Sequence, residues 1–227
     1  MLSIIIPSYD HSGYLQKNIP KIQKYFSGTE HEIIVVDDGS ADDTAAVAES
    51  LGVRLIRNPS NKGKGYSLRR GIEAANGEHI LLTDTDLATP IEEFSKLWKH
   101  RDNDVVIGSR KADGQRARGV SLDRQIAGYI FSELVRLVLS PGLQDTQCGF
   151  KLLKKDVKPI ASSCVLDGFV FDAELLKLCR IKGLSIREVG VDWHAKEDSR
   201  VRLSSHPFQM LYELLRLRYR LAREKYG

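Results

Sequence analysis

Short runs of mostly aliphatic, β-branched residues recur at 4–6, 33–36, 54–56, 79–83 and 105–108, separated by stretches of helical periodicity. This alternation constrains the fold more than any other feature, because βα units feed a mainly parallel central sheet with helices on both faces. The strands read as continuous apolar runs, as strands covered on both sides must. Helices are expected at 14–26, 42–50, 65–75 and 90–100. Ser40 and Asp43 have the spacing of a capping box with Asp in place of Glu, and Pro90 suits a first helical turn. In open α/β sheets ligands bind beyond the carboxyl ends of the strands, so the loops after the first, second and fourth strands are where chemistry is to be sought.

The second half is less regular. Residues 111–124 carry Asp113-Gly114 and the cations Arg116, Arg118 and Arg124 with few large apolar side chains, and read as a mobile loop. A helix is expected at 126–139, a strand at 149–154, a helix at 171–181 and a half-buried strand at 186–193. No repeat or composition shift marks a boundary, so 1–205 reads as one domain, followed by a C-terminal helix over 206–227. On a wheel of about 100° per residue, Gln209, Glu213, Arg216, Arg220, Arg223 and Glu224 share one arc and most other positions of 208–226 are apolar. That helix either packs on the domain or lies on an anionic membrane surface.

Composition excludes several classes. No apolar run approaches the roughly 18 residues of a membrane span, and no signal peptide is expected from the short N-terminal run. Thirty-four Lys and Arg against 30 Asp and Glu is too mild an excess for a nucleic-acid binder. Three cysteines without C-x-x-C spacing argue against a disulfide framework or thiolate zinc site and fit a cytoplasmic protein.

Three constellations carry chemistry. Asp84-Thr85-Asp86 ends an apolar strand, and if extended it turns both carboxylates to one side with Thr85 on the other. Such a pair suits Mg²⁺ or Mn²⁺ with substrate phosphates completing the shell; the alternative is a pair of helix caps. Asp37-Asp38-Gly39-Ser40 could accept bonds from a base or ribose, or could serve as turn and N-cap. Asn61-Lys62-Gly63-Lys64-Gly65 could approach a diphosphate through backbone amides and the two ammonium groups of Lys62 and Lys64, or could be a solvated basic turn. It is not a P-loop, and no G-x-G-x-x-G occurs.

Their order along the chain resembles a known family. Ile6-Pro7-Ser8-Tyr9, Val36-Asp37-Asp38-Gly39-Ser40, the 61–65 turn and Asp84-Thr85-Asp86-Leu87-Ala88-Thr89-Pro90 are similar to the motifs of family 2 glycosyltransferases with the GT-A fold. Gly108-Ser109-Arg110, Asp145-Thr146-Gln147-Cys148-Gly149-Phe150-Lys151 and Phe169-Val170-Phe171-Asp172-Ala173-Glu174-Leu175-Leu176 narrow the likeness to polyprenyl-phosphate (dolichyl-phosphate) hexosyltransferases, nearest the glucosyl members. The resemblance implies that Pro7, Tyr9 and Asp38 hold the base and ribose, that Asp84 and Asp86 form the metal and diphosphate motif, and that Asp145 is the catalytic carboxylate. It places Arg200 near phosphate. The first motif departs from the family at Asp10-His11, where Asn-Glu is usual.

The implied activity is inverting transfer of a hexose, glucose from UDP-glucose ahead of mannose from GDP-mannose, to a polyprenyl phosphate. A divalent cation would neutralise charge on the departing diphosphate. A hydroxyl acceptor would need Asp145 as base, whereas a phosphate monoester, with a second pKa of about 6, needs none and would be bound by Arg116, Arg118, Arg124 and Arg200. Rival readings are a soluble sugar or protein acceptor, a nucleotidyltransferase, and a binding module without turnover. No nucleic acid is expected; membrane contact would be peripheral on the cytoplasmic face, and a homodimer is as compatible as a monomer. His194 and Glu174 are secondary candidates, and Cys148 reads as packing.

Overall fold

The computed structural model describes residues 1–112, 135, 142–194 and 206–223, the last segment with side chains at 212–220. The first half is a succession of βα units: β1 (Leu2–Ser8), α1 (Ser12–Tyr25), β2 (His31–Asp37), α2 (Thr44–Ser50), β3 (Arg54–Arg57), α3 (Lys64–Ala74) and β4 (His79–Leu82). A 3₁₀ turn (Ile91–Glu93), α4 (Phe94–Trp98) and β5 (Val105–Ser109) follow. Then come β6 (Lys151–Lys154), α5 (Lys158–Ser163), α6 (Phe171–Ile181), β7 (Ile186–Gly190) and α7 (His206–Arg223).

The strands form one sheet in the order β3-β2-β1-β4-β6-β5-β7. All pairings are parallel except those of β6, which runs antiparallel to both β4 and β5. Alternation of side chains sends the β1 isoleucines into two cores. Ile4 and Ile6 pack with Leu15, Ile19 and Ile22 of α1 on one face. Ile5 packs with Leu68 and Ile72 of α3 and Phe171 of α6 on the other. All three isoleucines are fully buried, and truncating any one to Ala costs about 2–5 kcal/mol.

The sheet creates the site. β1 pairs with β2 as far as Ser8↔Asp37, but with β4 only as far as Ile5↔Leu82. The chain therefore turns away from β1 after β4, at the point where strand order reverses from leftward (β2, β3) to rightward (β4, β6). A crevice at such a switch point is where α/β sheets bind ligands.

Two local expectations are corrected. The Ser40/Asp43 capping box does not form: α2 starts at Thr44, Asp43 makes no side-chain cap, and Ser40 Oγ accepts from Asp10 N at 2.8 Å. Asp42 competes for the same role, its Oδ1 accepting from Thr44 N at 3.0 Å. The helix expected over 90–100 is instead a 3₁₀ turn followed by the five residues of α4, with the Glu93 side chain at their junction accepting from Asp192 N at 2.9 Å.

Candidate active site

Asp84, Thr85 and Asp86 lie beyond the end of β4, in a turn closed by Leu87 N donating to Asp84 O, with Leu87 at φ +47°. The extended premise of the sequence reading is thus replaced by a turn. Thr85 still points inward, its Oγ1 donating to Pro7 O at 2.8 Å while Asn18 Nδ2 donates to Thr85 O at 3.0 Å. These two bonds pin the turn to β1 and α1 and leave the aspartates at its rim. Asp86 Oδ1 accepts from Ala88 N at 2.9 Å. Asp84 Oδ1 accepts from Lys64 Nζ at 2.6 Å. Burial works to raise the Asp84 pKa, but Lys64, Lys151 and Arg110 more than offset it, so the carboxyl titrates below its usual range. Burial likewise opposes the charge on Lys64, and the field of Asp84 overrides it, raising the ammonium pKa.

The other face of Asp84 rests on Gly149. A Cβ at that position would lie 2.3 Å from Asp84 Oδ2, so only glycine lets the carboxylate sit there. Two hard oxygen donors on an ordered turn fit Mg²⁺ or Mn²⁺, which commonly take one or two carboxylates and leave the remaining positions to water and substrate phosphate. Among the described residues no three His, Cys, Asp or Glu gather as a closed metal cage.

A second carboxylate–cation pair stands beside the first. Arg110, at the end of β5, clamps Asp145 with Nε on Oδ2 at 2.7 Å and Nη2 on Oδ1 at 2.8 Å, and its backbone N adds a third bond to Oδ2 at 3.0 Å. Glu188 of β7 accepts from Gln144 N and Asp145 N at 2.9 and 2.8 Å, fixing the backbone that presents Asp145. Asp145 is 0% exposed. Its burial alone would raise the pKa, yet the Arg110 charge and bonds hold it at about 2. A carboxylate so acidic, with both oxygens occupied, is a poor general base. Arg110 itself reaches the surface, stacks 5.5 Å from the Trp193 ring centroid, and acts electrostatically on Asp84. His194 N donating to Ala88 O at 2.8 Å docks the segment carrying Trp193 onto the 84–89 turn. The His194 side chain is exposed.

Behind both pairs lies a third. Lys151 is 0% exposed, and its Nζ donates to Asp172 Oδ1 at 2.5 Å and to Cys148 O. A buried ammonium is tolerated only when paired in this way. Cys148 is buried, with its thiol pKa pushed up by burial and by Asp145, as a packing residue should be. Glu174 is withdrawn from the site: it accepts from Val165 N and Leu166 N and braces the turn before α6.

At the ends of β1 and β2 the candidates divide. The Tyr9 ring is exposed and Pro7 is half-buried. Asp37 accepts from Ser40 N at 2.9 Å and pairs with Arg57 Nε at 3.2 Å. Asp38 accepts from Asn58 Nδ2, Lys62 N and Gly63 N at 2.6, 2.9 and 2.8 Å. Both are buried, and Asp38 shapes the 61–65 turn through its backbone while Asp37 holds the 37–40 turn. Asp10 Oδ1 accepts from Ala41 N at 2.8 Å, which joins the two loops at the position where the family motif differs. Arg116, Arg118, Arg124 and Arg200, and the expected 126–139 helix apart from buried, helical Val135, lie outside the described residues.

A profile of Glycosyl transferase family 2 matches residues 3–158. The chain belongs to family 2 of the glycosyltransferases. Relatives include the dolichyl-phosphate beta-glucosyltransferase of Dictyostelium discoideum, 31% identical over 242 residues, spanning 96% of this chain and 74% of that protein. The mouse (Mus musculus) enzyme of the same name is 34% identical over 244 residues, spanning 96% and 75%. Among solved structures, glucosyl-3-phosphoglycerate synthase of Mycobacterium tuberculosis, in complex with Mn²⁺, UDP and glucosyl-3-phosphoglycerate, superposes with a TM-score of 0.73 at 21% identity, covering 98% of this chain and 79% of that one. The fold is GT-A, and the protein is a glycosyltransferase.

Sequence reasoning missed Arg110 as the partner of Asp145, and missed the Lys151–Asp172 pair. The second had a signal: a lysine opening the apolar Lys151-Leu152-Leu153 run and an aspartate inside the apolar face of α6 must be buried together or not at all. The first had none, since Arg110 and Asp145 are 35 residues apart.

Proposed function

We propose that the enzyme transfers glucose from UDP-glucose to a polyprenyl (dolichyl) phosphate with inversion at the anomeric carbon. The observation that carries this reading is the locked Asp145. A hydroxyl acceptor must lose its proton during attack, and the carboxylate at the family's base position, with pKa about 2 and both oxygens on Arg110, is unfit to take it. A phosphate monoester brings a nucleophilic oxygen already charged at neutral pH, its second pKa being about 6. The names of the relatives support the same acceptor and sugar.

Asp84 and Asp86 would hold Mg²⁺ or Mn²⁺, which when bound screens the negative charge that grows on the leaving diphosphate. The chain's own residues do the rest. The exposed Tyr9 ring at the tip of β1 offers a stacking face for the base, with Pro7 beside it and Asp37 and Asp38 shaping the loops that enclose it. Arg110 stays charged at any working pH, and Asp145 and Trp193 hold its guanidinium where it can bind a phosphate oxygen. Cleavage of the C1–O bond sends its electron pair to the diphosphate while the acceptor oxygen closes on C1 from the opposite face. No proton moves in this step.

A lipid acceptor asks for a membrane surface. In α7, Leu214 and Leu217 are buried against Leu166, Val170 and Ala173. The opposite face exposes Tyr212 (66%), Leu215 (56%) and Tyr219 (60%), flanked by the exposed Arg216 and Arg218. Aromatic and aliphatic side chains bordered by arginines suit the headgroup region of an anionic bilayer. Among the described residues no helix is long and apolar enough to cross a membrane. On this reading 1–205 is one catalytic domain, and α7 rests its outer face on the cytoplasmic leaflet.

The test is transfer of labelled sugar from a panel of nucleotide sugars, with polyprenyl phosphate and the matching polyprenol as acceptors, with and without EDTA. UDP-glucose should label the phosphate, not the alcohol, and EDTA should abolish transfer. Labelling of the alcohol at a comparable rate would overturn the acceptor assignment.

A further inference from the structure

The cation on Asp84 in this structure is Lys64, and its setting is unlike that of Arg110. The Lys64 backbone cannot retreat. Gly63 stands at φ +105°, where a Cβ would lie 2.3 Å from Asp167 O, and Gly63 N is held by Asp38 Oδ2 at 2.8 Å. Tyr66 N donates to Asp167 O, so both flanks of Lys64 are fastened. The side chain, by contrast, makes a single monodentate contact, is 22% exposed, and has four methylenes on which to swing. The acids that act on it most are Asp84, Asp172 and Asp86. Asp172 is already neutralised by Lys151, so the carboxylate that Lys64 itself pairs with is Asp84.

We infer, resting on the reading above of Asp84 and Asp86, that Lys64 is a tethered counter-ion which a divalent cation must displace from Asp84. Once displaced, its ammonium is free to engage the diphosphate. The geometry favours the exchange, because the ammonium sits 2.6 Å from Asp84 Oδ1, Oδ2 faces Gly149, and a dication at this carboxylate meets the repulsion of the ammonium charge. The gain for the enzyme is coupling. Metal alone must evict Lys64 into water, and nucleotide alone meets an ammonium already engaged. Together, the diphosphate receives the lysine that the metal releases. By linkage, each ligand then tightens binding of the other by the same factor.

The experiment is Mn²⁺ titration followed by the electron paramagnetic resonance of the free ion, on the intact protein, with and without UDP. Wild type, Lys64→Met and Lys64→Arg are compared after melting curves confirm folding. Without UDP, Lys64→Met should bind Mn²⁺ at least about tenfold more tightly than wild type, because a unit charge at ion-pair distance is removed. Its enhancement of Mn²⁺ affinity by UDP should shrink, while Lys64→Arg should behave like wild type. Lys64→Gln gives the same reading if the methionine variant does not fold. Equal or weaker Mn²⁺ binding by the folded methionine or glutamine variant, alongside normal Mn²⁺ binding with UDP, would overturn the counter-ion role alone. Failure of wild type to bind Mn²⁺ even with UDP would overturn both this role and the metal assignment of Asp84 and Asp86.

Discussion

Lys64–Asp84 and Arg110–Asp145 are both carboxylate–cation pairs at strand tips, and they are built in opposite ways. The first is a single contact between side chains 22% and 37% exposed. The second joins a 28% exposed arginine to a fully buried aspartate through three bonds. A partly exposed monodentate pair costs little to break, whereas stripping one partner from a buried pair leaves a desolvated charge. On the proposed reading the difference divides the site into an exchangeable half, where ligands replace protein–protein bonds, and a fixed half, where a cation is presented ready-made. Lys151–Asp172 belongs with the fixed half and supports both.

The largest effect is expected in the exchangeable half. Asp86→Asn should lower kcat by at least about 10³-fold, since on the proposed reading it removes a ligand of a cation that stabilises charge in the transition state. Steady-state kinetics with UDP-glucose checks this, and near-wild-type turnover would mean that the rim turn is not the catalytic centre. In the fixed half the expected loss is one of stability. Asp172→Ala should destabilise the fold by about 3–5 kcal/mol in urea unfolding, because Lys151 is left buried and unpaired.

A smaller effect tests where the halves touch. Gly149→Ala puts a methyl group where Asp84 Oδ2 now sits, 2.3 Å away. The carboxylate must rotate off that face, which should weaken Mn²⁺ binding in the presence of UDP by about tenfold or more, while a melting curve shows the fold intact. The smallest effect belongs to the periphery. Replacing Leu215 and Tyr219 of α7 by Ser should reduce binding to anionic vesicles several-fold and leave transfer to a short-chain, water-soluble polyprenyl phosphate unchanged. Unchanged vesicle binding would place the membrane contact elsewhere.

How much of this was legible in the sequence follows the same division. The parallel half of the sheet could be read because β1 and β2 are continuous aliphatic runs buried on both faces, a pattern that specifies its environment. β6 could be located, but its antiparallel insertion between β4 and β5 could not, since four residues carry no signal of direction. The Asp84/Asp86 spacing singled out the turn at the switch-point crevice, but not its geometry: the carboxylates sit on a turn set by Leu87 at φ +47° and by Thr85 bonded to β1, not on extended chain. Asp38 looked like a ligand acceptor because a carboxylate after a strand often is one, and in the fold it also accepts from Asn58 and from two amides of the 61–65 turn, whose shape it sets. Asp145 was singled out as the catalytic carboxylate from its position in the motif, a base only if the acceptor were a hydroxyl. Its partner is a long-range contact, and only the folded chain reveals that its oxygens are taken.

The central claim is that the acceptor, not Asp145, supplies the nucleophile's charge. It is tested most directly by the pH dependence of kcat/KM for wild type and Asp145→Asn with acceptors of different second pKa, such as a polyprenyl phosphate and its more acidic α-fluorophosphonate analogue. Asp145, whose folded pKa of about 2 lies below the ordinary carboxyl value, keeps its charge throughout the neutral range and loses it only as the pH falls toward 2. The acid limb should therefore lie near about pH 6 for the phosphate, move down with the phosphonate, and keep its position in Asp145→Asn while the overall rate falls. An acid limb that ignores the acceptor and disappears in Asp145→Asn would show that Asp145 is the base after all.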